Sequence, residues 1–350
     1  MTRTMTPILL ALALLQAPAT APAKTPASSP QGYRVQKTFE LGGDGGWDYL
    51  TFDVDGHRLF VSRSSHVMVV DTESGKVSGD IPETEGVHGI ALAPESGHGF
   101  TSNGRAGTAT MFDLKTLKTL GKVETGKNPD AILYDPFSKR VFTFNGRSSD
   151  ATAIDSAEGK AVGTVELGGK PETGVSDGAG HVFVNVEDKS EIVEFDAKSL
   201  KVLAHWPVAP GEEPSGLAID RAHHRLFAGC GNEKMVILDS ESGKVIASPE
   251  IGKGVDAAAF DDATACAFAS CGDGTLTVVH EKDPSTFEVL EHAKTERGAR
   301  TMALDPKTHT IYLATAKFEE PKEAKEGEAN QGRRRPSMVP GSFKVIVVGK

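Results

Sequence analysis

Seven polar residues recur along this chain at intervals of 40 to 44 residues: Asp48, His88, Asp130, Glu172, Ser215, Asp256 and Arg300. Each is the second residue of a segment that begins polar, turns apolar and usually closes on Asp. The segments are WDYLTFD (47–53), VHGIALA (87–93), PDAILYD (129–135), PETGVSD (171–177), PSGLAID (214–220), VDAAAFD (255–261) and ARTMALD (299–305). Four carboxylates, an imidazole, a hydroxyl and a guanidinium at one structural coordinate crowd like charges together. Such a set favours raised carboxyl pKa values, pairing with Arg300, an ordered water network or a bound cation. A hard divalent ion such as Ca²⁺ suits oxygen ligands at this density. The same residues would also serve simply to hydrate a channel mouth and to accept backbone N–H groups. The sequence therefore assigns a candidate ligand-binding set but no metal, no cofactor and no catalytic residue.

A second set lies in three later loops. S-R-S places Arg63, and N-G-R occurs twice, with Arg105 and Arg147. Guanidinium forks at nearly equivalent places in successive repeats suit a carboxylate or phosphate. Pairing of these arginines with Asp130 or Glu172 is the alternative. Five histidines, His57, His98, His181, His224 and His309, fall in turns of different repeats, so joint coordination of one ion is not expected.

These residues need a frame. Each repeat continues with a turn and an apolar strand such as RLFVS, RVFTF, HVFVN or RLFAG, then a strand ending in Asp such as VMVVD or MVILD. A second turn, as in ESGKV, opens a fourth strand. No segment keeps apolar residues at helical spacing. Four short strands per repeat of about 42 residues, seven times over, predict an all-β, seven-bladed β-propeller of four-stranded antiparallel blades. The seventh repeat lacks a fourth strand, and YRVQKTFELGG (33–43) belongs to no other repeat. The N-terminal strand is therefore expected to pair into the last blade and close the ring. The propeller is assigned residues 32–350, with 317–341 as a loop insertion in blade seven that begins acidic and ends in Arg333, Arg334 and Arg335.

The strand–turn motifs D-x-x-x-x-R-L-F-V (53–61) and V-D-x-x-S-G-K-V (70–77) resemble those of the YVTN-repeat, YncE-like seven-bladed β-propellers. The resemblance covers about residues 33–350 and implies an exported bacterial propeller. Some relatives are linked to nucleic acid, and more distant propellers of similar repeat are lactonases, lyases or quinoprotein subunits. Such motifs specify strands and turns, so the fold transfers and the activities do not.

The N-terminus fits export. One charge, Arg3, precedes the apolar run Ile8–Leu15, and Ala-Pro-Ala follows at 17–19 and 21–23. This is the pattern of a secretory signal over residues 1–23, cleaved after Ala19 or Ala23, ahead of a polar leader at 24–31. A periplasmic or secreted location follows as an expectation, with no membrane span after cleavage. Three cysteines, Cys230, Cys266 and Cys271, are too few and of the wrong parity for a full disulfide framework. The net charge of -10 argues against nucleic acid as a partner, because phosphate binding needs a cationic footprint. No G-x-S-x-G, H-E-x-x-H or C-x-x-C motif is present, and the Asp53-Val-Asp55-Gly56 run lacks the distal Glu of a calcium loop.

The expected protein is an exported, monomeric, non-catalytic binding propeller. A small molecule, peptide or protein docks on its channel-mouth (top) face through Asp48, His88, Asp130, Glu172, Asp256, Arg300, Arg63, Arg105 and Arg147. The alternative is a lactonase- or lyase-like enzyme using the carboxylate/His site at the same mouth, with His88 as acid/base beside a carboxylate-bound metal.

Overall fold

The structure, a computed structural model, describes residues 1–2, 32–43, 45–319 and 337–350. All but residues 1–2 of the expected signal peptide (1–23), the leader (24–31) and most of the 317–341 insertion lie outside the described residues.

Residues 32–350 form seven four-stranded antiparallel sheets arranged as the blades of a propeller. Blade 1 runs Leu50–Asp53, Arg58–Ser62, Val67–Asp71 and Lys76–Ile81 from the innermost strand outward. The inner strands of blades 2 to 7 are Val87–Ala93, Pro129–Asp135, Pro171–Ser176, Pro214–Asp220, Val255–Asp261 and Thr301–Asp305. Each inner strand packs beside those of its neighbours, blade 7 against blade 1 included. Among the described residues the one helical element is a 3-10 turn at Glu187–Lys189, and no helix is long and apolar enough to cross a membrane.

The ring closes as the missing strand required. Arg34–Glu40 is the outermost strand of blade 7, pairing antiparallel with Lys344–Gly349 in the register Thr38↔Ile346 and Phe39↔Val345. Phe39 is buried, stacks on Tyr312 of blade 7 and joins a core cluster that also contains Leu59, Met68 and Val70 of blade 1. The first and last strands of the propeller are thereby bound into one sheet beside the blade 7/blade 1 seam.

The core is distributed between blades. One apolar cluster sits at each of the seven junctions. The reason is visible in the second strands. Phe60, Phe100, Phe142, Phe183, Phe227, Phe268 and Tyr312 occupy the same place in each blade and are all buried. Each contributes roughly 2–3 kcal/mol of apolar transfer that a single blade could not provide alone. The turns between third and fourth strands are equally regular. Ser74 donates its backbone N–H to Asp71 at 2.7 Å, and Gly75 follows with φ of 68°. A Cβ on Gly75 would meet the Phe39 ring at 2.2 Å, so glycine serves there both the left-handed turn and the packing of the closing strand.

Candidate ligand site at the channel mouth

Asp48, His88, Asp130, Glu172, Ser215, Asp256 and Arg300 all stand at the start of their inner strands, or just before it in blades 1 and 7. Residues from the loops between second and third strands share their face: Ser64, Gly104, Arg105 and Arg147 line one cleft with Asp48 and His88. The periodic set does not act as one ring, however. It divides into three local groups.

The first group spans blades 1 to 3. His88 Nδ1 lies 2.6 Å from Asp48 Oδ2 and 3.5 Å from Asp130 Oδ1. Burial alone would lower the imidazole pKa, but the Asp48 hydrogen bond and the charges of Asp130, Asp48 and Glu172 outweigh it and raise it. Asp130 is raised by burial, against the pull of His88, with the Asp48 carboxylate adding to the rise. His88 reaches this position because Gly104 makes room for it: a Cβ there would meet His88 Nε2 at 2.7 Å.

The second group belongs to blade 4. Lys170 Nζ pairs with Glu172 at 2.6 Å and also with Glu187. Burial still holds the Glu172 carboxyl above its usual range against the Lys170 ammonium, with Asp130 adding to the rise. The third group spans blades 5 to 7. Arg300 Nε lies 3.3 Å from Asp256 Oδ2, and Ser215 Oγ lies 3.4 Å from Asp256 Oδ1. Burial pushes Asp256 up to about 6 in spite of Arg300.

Tyr49 links these groups. It follows Asp48 in blade 1, yet it packs against the blade 3/blade 4 core cluster across the channel. Burial raises its hydroxyl pKa strongly, and the carboxylates of Asp130, Glu172, Asp48 and Asp256 raise it further. The phenol therefore sits within the field of all four mouth carboxylates.

The three arginines separate. Arg63 is buried and donates to the backbone carbonyls of Gly42 (3.0 Å), Gly45 (3.2 Å) and Gly46 (3.3 Å), with its guanidinium 3.9 Å from the Phe343 ring centroid. Strand register accounts for this. Inner-strand pairing aligns Arg58 with His98 and Arg140, which places Arg63 with the buried Asn103 and Asn145, two residues before Arg105 and Arg147. Arg63 thus clamps the loop that leads into blade 1. Arg105 and Arg147 are exposed, and their guanidinium groups make no hydrogen bond or ion pair to the described residues. They pair with neither Asp130 nor Glu172, whose partners are His88 and Lys170.

The cleft on this face has a volume of about 450 Å³ and joins Arg105 and Arg147 to Trp47, Asp48, His88 and Asn128. Trp47 in turn touches Phe318, at a ring-centroid separation of 6.2 Å. Phe318 bridges to Met338 at the base of the blade 7 insertion, so that base stands beside the cleft.

Sequence reasoning missed Lys170, Glu187 and Tyr49. Lys170 was legible in principle, since it lies two residues before Glu172 and residues at that spacing share a strand face. In the loop of blade 4, Asp188 takes the register place of Arg147, because Val186 pairs Pro171 as Asn145 pairs Pro129. The charge at this loop position therefore reverses sign between blades 3 and 4, and Arg105 and Arg147, exposed and without an ion-pair partner among the described residues, stand on blades 2 and 3. The five turn histidines are dispersed: His98 Nδ1 contacts the Ser156 carbonyl, His181 contacts Glu194 and His309 contacts Asp261. Cys230, Cys266 and Cys271 are free and buried.

No family model and no curated protein matches this sequence. Among solved structures, the chain is similar to Kuenenia stuttgartiensis hydrazine synthase, with a TM-score of 0.68 and 14% identity over 78% of this chain and 94% of that one. At that identity the likeness shows the fold alone.

Proposed function

We propose that this protein is an exported binding propeller of the YVTN-repeat, YncE-like kind, acting as a monomer. It takes a small anionic ligand in the cleft over blades 1 to 3. One observation carries the reading: the exposed Arg105 and Arg147 line the same cleft as the Asp48–His88 pair. Two guanidinium forks recognise a carboxylate or phosphate. The His88 imidazole and the Asp48 carboxylate, which line the same cleft, would hydrogen-bond to hydroxyl or amine groups of the same molecule. Support for export is the charge–apolar–small-residue pattern of residues 1–23, and support for the family is the pair of motifs at 53–61 and 70–77. Native mass spectrometry of protein recovered from its own source tests the reading. A co-purifying anion whose retention depends on Arg105 and Arg147 supports it, and retention indifferent to both refutes it.

A second reading rests on His88 itself. An imidazole held between two carboxylates, with its pKa raised, has the constitution of a general acid. A lactonase- or lyase-like reaction at this mouth would be abolished in His88→Ala. A lactone screen without turnover, together with metal-free purified protein, would count heavily against that reading and leave the binding reading standing.

A further inference from the structure

The turn side of the propeller, at the far ends of the inner strands, carries a second histidine–carboxylate cluster at the junction of blades 5 and 6. Asp220 ends the inner strand of blade 5, five residues beyond Ser215 and so about 16 Å along the strand from the mouth. Its Oδ1 accepts the backbone N–H groups of Ala222 (2.8 Å) and His223 (3.2 Å), and its Oδ2 lies 2.7 Å from His223 Nδ1. Glu281 comes from the third strand of blade 6, Thr275–Asp283, and its Oε1 lies 3.1 Å from the same imidazole nitrogen. The Asp220 and Glu281 side chains are 3% and 1% exposed, whereas His223 is 48% exposed.

Glu281 is the anomaly. Apart from the ion-pair contact of Oε1 with His223, neither of its oxygens has a hydrogen-bond partner among the described residues. A buried carboxylate without hydrogen bonds is costly, and a second buried carboxylate beside it adds to the cost. The neighbouring cation offsets this only at a distance, since Arg225 directs Nε to the Pro284 carbonyl and Nη1 to Asp239, each at 2.7 Å, and makes no hydrogen bond to Glu281. Burial and the Asp220 charge push Glu281 up to about 7, against the pull of His223. One ligand atom from each of Asp220, His223 and Glu281 lies within 4.8 Å of the others.

We propose that Asp220, His223 and Glu281 form a binding site for a divalent first-row metal ion, with Zn²⁺ as its reference occupant. A dication neutralises both buried carboxylates and engages the Glu281 oxygens, which lack hydrogen bonds. One imidazole nitrogen with two carboxylate oxygens suits Zn²⁺ better than the all-oxygen sets preferred by Mg²⁺ or Ca²⁺. Three protein ligands leave a fourth position, and the half-exposed imidazole supplies the path to solvent.

The test is Zn²⁺ titration of the full, chelator-stripped chain by calorimetry, with metal content measured after desalting. A double variant, Asp48→Asn with His88→Ala, removes the other histidine–carboxylate cluster at the mouth. The expected result is one Zn²⁺ per chain in the wild type and in that double variant, with binding at least tenfold weaker in Glu281→Gln and in His223→Ala. His223 is half-exposed, so His223→Ala keeps the test informative if the buried variant folds poorly. The proposal is overturned if the wild type takes up no Zn²⁺, if binding is unchanged in both turn-side variants, or if it is lost in the mouth variant. An increase in apo stability on Glu281→Gln, together with no Zn²⁺ uptake by the wild type, also overturns it. The two carboxylates would then share a proton instead.

Discussion

Asp48 of blade 1 holds His88 of blade 2 through a 2.6 Å contact between Oδ2 and Nδ1, which orients the imidazole toward the cleft that Arg105 and Arg147 also line. The pair ties two blades together at the point where a ligand would arrive. The proton on His88 should therefore report on its carboxylate neighbours. In Asp48→Asn the largest raising interaction is lost, and the His88 pKa should fall relative to wild type. An NMR titration of the imidazole Cε1–H measures this, and an unchanged midpoint would show that the contact does not form in solution.

Arg63 and the two exposed arginines should behave oppositely on substitution. Arg63→Ala strips three backbone carbonyls of their donor and removes the guanidinium from the Phe343 face. The expected loss is about 3 kcal/mol of unfolding free energy. Arg105→Ala and Arg147→Ala should change stability by no more than about 0.5 kcal/mol, because they remove exposed side chains without hydrogen-bond or ion-pair partners among the described residues. Urea unfolding of the three variants separates the roles.

The repeat made most of this fold readable. The recurring seven-residue segments that usually close on Asp placed the inner strands, the R-L-F type segments placed the interblade aromatics, and the surplus strand at 33–43 announced how the ring closes. The grouping at the mouth was less readable, for physical reasons. A period places Cα atoms, whereas pairing depends on side-chain reach across blades. Lys170 draws Glu172 away from the other carboxylates, and Tyr49 reaches across the channel to the far core cluster. Arg63 sits two residues from the register of its presumed counterparts and ends up buried. Glu281 gave no signal, because its partners Asp220 and His223 belong to a neighbouring blade and lie about 60 residues away.

The mouth should make stability fall as pH rises through the mildly acidic range. Burial pushes the Asp256 carboxyl up to about 6, against 3.8 for an ordinary aspartate. Between those values the native state keeps a proton that the unfolded chain releases. The stabilisation is complete below about pH 4 and is lost as pH rises through 6. The raised His88 acts in the same direction, being lost as pH rises through its folded value. Asp256→Asn should remove on the order of 2 kcal/mol of the pH dependence between pH 4 and 7. Denaturant unfolding at a series of pH values checks it, and parallel profiles for variant and wild type would contradict it.

The thiols should be inert in the native state. Burial pushes Cys230 and Cys271 up to about 12 and also raises Cys266. A thiol-disulfide reagent at neutral pH should therefore label none of the three until the chain unfolds, because thiolate is the reactive species. Rapid labelling of the native protein would show that a blade opens locally.

The measurement that bears most directly on the proposed function is thermal stability in the presence of small anions. A panel of mono- and dicarboxylates and sugar phosphates would be scanned against wild type and an Arg105→Ala/Arg147→Ala double variant. At least one anion should raise the wild-type Tm by several degrees, as expected for a ligand at about a hundred times its Kd, and leave the double variant unmoved. Equal shifts in both proteins, or none across the panel, would contradict an anion site over blades 1 to 3.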